Sequence, residues 1–145
     1  MDDLPDRLAD KDTFLTTQLG STAHQLAAAA FSRAGARGYH YRVLAALDEH
    51  GPLSQADLGR AVHMDRSDVV GAVAELEELG QVGRSADPTD GRRRIVTVTA
   101  TGRRQLQRLE RELTTAQDEF LAPLTDADRR RLHELLTRLY RHHSG

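Results

Sequence analysis

Apolar residues recur every three or four positions along most of this chain, and only between residues 82 and 99 does the rhythm shorten to every second one. Phe14, Leu15, Leu19, Leu26, Ala27 and Ala30 predict one long helix, bent if anywhere near Gly20, which ends at the "RAGARG" run. Tyr41, Val43, Leu44 and Leu47 predict a short helix stopped by Gly51-Pro52, with the glycine taking a left-handed cap. Ser54 with Asp57 forms a capping-box pattern, so a two-turn helix starts at Gln55 and carries Leu58 and Val62 inward. Asp65, placed to accept the amide of Asp68, opens the next helix; Val69, Val73, Leu76 and Leu79 share its apolar stripe, and Gly80 ends it. Val82 and Arg84 begin an extended run, "DPTDG" supplies a turn, and Ile95 to Thr99 alternate as β-branched strand residues. After a cap at Thr99, residues 101–121 place Leu106, Leu109, Leu113, Phe120 and Leu121 on a helix ended by Pro123. Thr125 and Asp128 cap a last one, where Leu132, Leu135, Leu136, Leu139 and Tyr140 make an apolar face of about five turns.

This order predicts a mainly α chain: a winged helix-turn-helix with flanking N- and C-terminal helices and a two-stranded β-hairpin as the wing. Residues 38–100 form the winged helix-turn-helix, and 1–37 with 101–145 the helical flanks. The stripes on those flanks exceed what so small a core can cover, and two copies of one stripe satisfy each other across a two-fold axis, so a homodimer is expected. An intrachain bundle of the first, fifth and sixth predicted helices is the alternative.

Composition narrows the chemistry. With no cysteine, disulfides, thiolate metal sites and thiol redox switches are excluded. No apolar run approaches a bilayer span, and "MDDLPDRLADKD" lacks the layout of a secretion signal, which predicts a cytoplasmic, nucleoid-associated protein with no membrane contact. The seven histidines are scattered, without metal-ligand spacing, and neither a cofactor nor a metal is expected. An enzyme finds little support, since no nucleophile-base pair or phosphate-cradling glycine loop is present. Net charge is only −2, but its distribution is uneven. Arginine dominates from Arg84 to Arg111, whereas Asp65 to Gly80 is acidic apart from Arg66. All the basic residues but Lys11 are arginine, a bias that genome composition explains as readily as phosphate binding.

The sharpest feature is "ADPTDGRRRIVTVTATG", residues 86–102. A hairpin projecting beside a helix-turn-helix reaches the minor groove while the second helix lies in the adjoining major groove, and arginine suits the negative potential there. Asp90 lies close enough to hold the Arg92 guanidinium, and Asp87-Pro88 stiffen the approach. Asp90-Gly91-Arg92, then Val96, Val98-Thr99 and Gly102, match the Asp-x-Arg, alternating apolar, Leu-Thr-x-x-Gly pattern of one family, with Val98 where leucine is usual. On these motifs residues 53–102 resemble the multiple-antibiotic-resistance regulator (MarR) family, and the helical order extends the likeness over nearly the whole chain. The resemblance implies a dimeric winged-helix regulator, mostly repressive, released from palindromic operators by small phenolic or anionic ligands. It implies that Arg92 enters the minor groove and that Asp90 orients it.

On the second helix of the motif the groove-facing set is Arg66, Ser67, Val70, Gly71 and Ala74. Arg66 suits guanine O6 and N7, Ser67 a phosphate or a cap, and Val70 a thymine methyl, while Gly71 permits close approach. Gln55 is a candidate phosphate contact, and affinity is expected to rest on Arg84, Arg92, Arg93 and Arg94. The resemblance also implies an effector pocket between the flanking helices and the DNA-binding lobe, near His24, Phe31, Tyr39, Arg42 and His63. There Arg42 would pair with a carboxylate or phenolate, and Tyr39 or Tyr41 would stack. A competing function is a winged-helix interaction module without DNA affinity, which the acidic second helix makes conceivable.

Overall fold

A computed structural model describes residues 4–145. A single turn, α1 (Asp6–Ala9), precedes α2 (Asp12–Arg33), α3 (Gly38–His50), a two-residue strand β1 (Leu53–Ser54), α4 (Gln55–Val62) and α5 (Arg66–Glu78). Strands β2 (Val82–Ala86) and β3 (Arg94–Val98) follow, then α6 (Ala100–Phe120) and α7 (Asp126–Ser144). The sheet is antiparallel in the order β1-β3-β2, so the wing has a third, short strand beyond the expected two. Leu53 sits opposite Val96 on one side, and β2 runs against β3 from Val82↔Val98 to Ala86↔Arg94 on the other.

The caps explain where the helices start. Ser54 Oγ accepts from the Asp57 amide at 3.1 Å, and Thr125 Oγ1 accepts from Asp128 at 3.2 Å. Each such cap stabilises its helix by about 1 kcal/mol. Asp65 departs from expectation: its exposed carboxylate accepts no first-turn amide, and α5 begins instead through the Asp65 carbonyl, which accepts from Val69 at 3.0 Å. At this exposed helix start the first-turn amides are open to solvent, so a side-chain cap is not required. Thr99 has the most connected role. Its Oγ1 accepts from Gly102 at 3.0 Å and donates to the Gly80 carbonyl at 2.7 Å, while its own amide donates to Gln81 O at 3.1 Å. A Cβ at Gly102 would overlap the Gln81 carbonyl and lie 2.8 Å from Val98 Cγ2, so only glycine fits where α6 leaves the wing. The Thr-x-x-Gly pattern is therefore a structural joint between the wing and the long helix.

One core runs through the molecule. Val43, Leu44 and Leu47 of α3, Leu58 of α4, Val69, Val73 and Leu76 of α5, and Val96 of β3 are fully or almost fully buried. Phe31 and Ala34 from the end of α2 and Leu106 and Leu109 from α6 belong to the same cluster, so the helical flanks and the winged helix share their interior. α6 packs along α2. The alternative of an intrachain bundle does not close, because α7 has no buried residue, and Leu135, Leu136, Leu139 and Tyr140 stay exposed, Tyr140 at 62%. Among the described residues no helix is long and apolar enough to cross a membrane.

Candidate nucleic-acid interface and adjoining cleft

The wing tip is shaped by its carboxylates. Asp87 Oδ1 accepts from both the amide and the hydroxyl of Thr89 at 2.8 Å, and Asp90 Oδ1 accepts from the Arg92 amide at 3.0 Å. The amide of Asp87 closes the loop onto Arg93 O at 2.9 Å. Asp90 thus does not grip the Arg92 guanidinium as expected. A short aspartate side chain two residues upstream meets the backbone N–H first, forming the turn that aspartate favours. Asp90 fixes the main chain from which Arg92 springs, and the guanidinium itself is left exposed with no ion pair among the described residues.

The four wing arginines do not stand alike. Arg84 makes a two-pronged pair with Glu77 of α5, both contacts at 3.1 Å, and Arg93 reaches Asp57 of α4 at 3.3 Å. Arg94 lies with Arg84 and Glu77 around a small cleft of about 310 Å³. The Arg84 guanidinium holds the Glu77 carboxyl below its usual range. Asp57 is lowered likewise, first by the Ser54 hydroxyl and then by Arg60, with which it also pairs. Two of the expected DNA contacts are therefore already engaged with acids of the helix-turn-helix, a pairing that no local sequence feature announces.

On α5 the buried set is Val69, Ala72, Val73 and Leu76, and Arg66, Ser67, Val70, Gly71 and Ala74 are exposed together on the other side. Val70 is 42% exposed, and nothing lies within 4 Å of where a Gly71 side chain would start, so neither is explained by packing inside the chain. Gln55 is half-buried at the start of α4. Glu75 of α5 is held from behind: Arg37 Nη2 donates to its Oε2 at 2.6 Å and His40 Nε2 meets the same oxygen at 2.5 Å. His40 Nδ1 accepts from the Arg37 amide at 3.2 Å, so the neutral ring carries its proton on Nε2 and donates to Glu75. These bonds, His40's first, hold the Glu75 carboxyl below its usual range.

Four of the five expected effector residues meet. His24, Phe31, Tyr39 and Arg42 line a cleft of about 650 Å³ at the α2–α3 corner, with Arg37 and Tyr41 completing its polar rim. That volume is in the range of small-molecule sites. Phe31 and Tyr41 stack with centroids 5.2 Å apart, and the Arg42 guanidinium lies 5.9 Å from the centre of the Tyr39 ring. Tyr41 donates to Glu110 of α6 at 2.6 Å, and burial together with that carboxylate pushes its phenol up, so it is a fixed donor. His63 does not join them. It caps α4 in the left-handed region at φ 53°, and lines a separate cleft of about 380 Å³ with Glu49, His50 and Tyr140. Arg42 and Tyr41 border both clefts. Arg37 was missed from sequence because its run reads as a helix break; its place directly before a helix start was the one available signal.

Residues 32–93 match a family model described as MarR family. The putative transcriptional regulatory protein for the hcr operon of Thauera aromatica is 39% identical over 104 residues, 72% of this chain but 63% of that protein, so the chain spans less than two thirds of this relative. A probable transcriptional regulator from Pseudomonas aeruginosa superposes with a TM-score of 0.80 at 34% identity, over 91% of this chain and 98% of that one. The PcaV transcriptional regulator from Streptomyces coelicolor, crystallised with its natural ligand, superposes with a TM-score of 0.76 at 30% identity, over 91% and 93% of the two chains.

Proposed function

The chain belongs to the MarR family, and from that premise we propose that it is a homodimeric transcriptional repressor that binds a palindromic operator and releases it when a small phenolic or anionic molecule enters the α2–α3 cleft. The observation that carries this reading is the unpaired Arg92 guanidinium at the wing tip, on a backbone stiffened by Asp87 and Asp90, beside an exposed α5 surface of Arg66, Ser67, Val70 and Gly71. A cation so placed enters the minor groove while α5 lies in the major groove. Residues 38–100 carry this contact, and residues 1–37 and 101–145 bring two copies together through the exposed stripe of α7. In the bound state the guanidinium donors of Arg84 and Arg93 are divided between their carboxylate partners and phosphates, and Arg94, free of an ion pair among the described residues, meets phosphate directly. The acidity of α5 lends the interaction-module reading little weight, because Glu75 and Glu77 are paired with Arg37 and Arg84 within the chain. PcaV, of the same fold, holds a natural ligand, which supports an effector role for the cleft here.

Selection from a random duplex pool supplies the operator, and fluorescence anisotropy then measures its hold. Arg92→Ala is expected to weaken binding by about 1–3 kcal/mol, the scale of hydrogen bonds to charged groups. Unchanged affinity at moderate salt overturns the assignment of the wing.

A further inference from the structure

We propose that Arg37 transmits occupancy of the cleft to the DNA-reading helix: an aromatic carboxylate in the cleft takes the Arg37 guanidinium from Glu75, and α5 is left with an uncompensated negative charge. This rests on the reading that the cleft accepts an effector. Among the described residues that line the cleft, Arg37 is the one whose side chain hydrogen-bonds to α5, by the 2.6 Å bond to Glu75. That side chain is 56% exposed, so a ligand reaches it without unfolding anything. Its backbone is anchored, since the Arg37 amide donates to His40 Nδ1 and its carbonyl accepts from Tyr41. The transfer therefore needs only rotation of one side chain, from a carboxylate on α5 to a carboxylate in the cleft.

The remaining walls fit the same ligand. Phe31 and Tyr39 offer ring faces, and Arg42, stacked at 5.9 Å over Tyr39, stands ready as a second cation for the anion. For Arg37 the exchange swaps one carboxylate for another and is nearly neutral. For Glu75 it is not. Arg37 and His40 bind the same oxygen, Oε2, and after the exchange the single N–H of neutral His40 remains. Glu75 follows Ala74 on the exposed side of α5 and lies one turn beyond Gly71, well inside a Debye length of any phosphate that α5 meets. Its freed charge repels the duplex, and linkage requires DNA in turn to weaken the ligand by the same factor.

The test uses full-length protein, the selected operator, 4-hydroxybenzoate as probe and 4-hydroxybenzamide as its uncharged counterpart. Calorimetry follows ligand binding without DNA, and anisotropy follows operator affinity with and without ligand. In the wild type, 4-hydroxybenzoate binds and lowers operator affinity about tenfold, a usual size for coupling between sites, and the amide does neither. Glu75→Gln, in which no carboxylate competes for Arg37, binds 4-hydroxybenzoate at least as tightly as the wild type, but its operator affinity changes less than twofold on adding it. Arg37→Gln binds 4-hydroxybenzoate at least tenfold more weakly, and without ligand already holds the operator as the occupied wild type does. Both positions are half-exposed, so melting temperatures close to wild type accompany these results. Full coupling retained in Glu75→Gln overturns the proposal, as does undiminished ligand binding by Arg37→Gln. A wild type that binds the operator but no aromatic carboxylate also overturns it while leaving the operator-binding reading intact; a wild type that binds no duplex overturns both.

Discussion

The two ends of this molecule differ in what the fold leaves over. In the winged-helix lobe the large apolar groups are mostly covered, with Leu44, Leu58, Val73, Leu76 and Val96 sealed, and the carboxylates of Asp57, Glu75 and Glu77 are paired with arginines of the chain. At the wing tip what remains is cationic, since Arg92 and Arg94 have no ion pair among the described residues while Asp87 and Asp90 are tied to the backbone of the turn. In α7 the reverse holds. Its arginines partly pair, as Arg129 with Asp118 and Arg131 with Glu134, while Leu135, Leu136, Leu139 and Tyr140 stay uncovered. A surplus of guanidinium selects a polyanion, and a surplus of leucine selects an apolar partner, for which a second copy is the economical choice. Function is read more directly from these remainders than from the core that produces them.

The largest effect is expected from removing the apolar remainder. Leu136→Asp combined with Leu139→Asp should yield a folded monomer by sedimentation equilibrium, because neither side chain is part of the core. Operator affinity should then fall on the order of a hundredfold or more, since linked half-sites commonly gain that much from joint engagement. A dimer that survives both changes removes α7 from the interface. Next in size is the joint between the two ends. Gly102→Ala sets a Cβ against the Gln81 carbonyl and Val98, and is expected to lower stability by about 1–3 kcal/mol, read as a drop in melting temperature. Unaltered melting would mean that the joint is looser than its contacts imply.

The remainders were legible in sequence to different degrees, for physical reasons. Helix periodicity and the caps at Ser54, Thr99 and Thr125 depend on neighbours within a turn, so the elements and the α7 stripe followed from local pattern. The four residues of α1 are too short to show a period, and β1 is two residues whose partner, Val96, lies far along the chain. The ion pairs are hidden for the same reason. Arg37–Glu75 and Arg93–Asp57 join positions 38 and 36 residues apart, so sequence grouped Arg84, Arg93 and Arg94 together as DNA contacts where the fold separates paired from unpaired. His63 shows the converse, a left-handed residue at a position where glycine is the usual signal, and it carried one expected ligand contact away from the rest.

A smaller effect tests whether the paired arginines are restrained. Glu77→Gln frees Arg84, and non-specific duplex affinity should rise a few-fold, with the salt dependence steepening by about one phosphate contact. An unchanged slope would place Arg84 outside the duplex contact altogether.

The smallest effect belongs to the turn that carries Arg92. Hydrogen bonds from the amide and then the hydroxyl of Thr89 hold the Asp87 carboxyl below its usual range. A carboxylate whose pKa is lower in the folded state adds stability that is fully present above the unfolded value of about 3.9, and loses it as pH falls through the folded one. The tip should therefore keep its order at pH 5 and fray only in stronger acid, seen as loss of amide-exchange protection at Thr89 while the Val96 amide in the core stays protected. In Asp87→Asn the side-chain oxygen still accepts the Thr89 amide, so the turn persists and its acid sensitivity disappears. Equal acid sensitivity in Asp87→Asn and wild type would assign the fraying to a group other than Asp87.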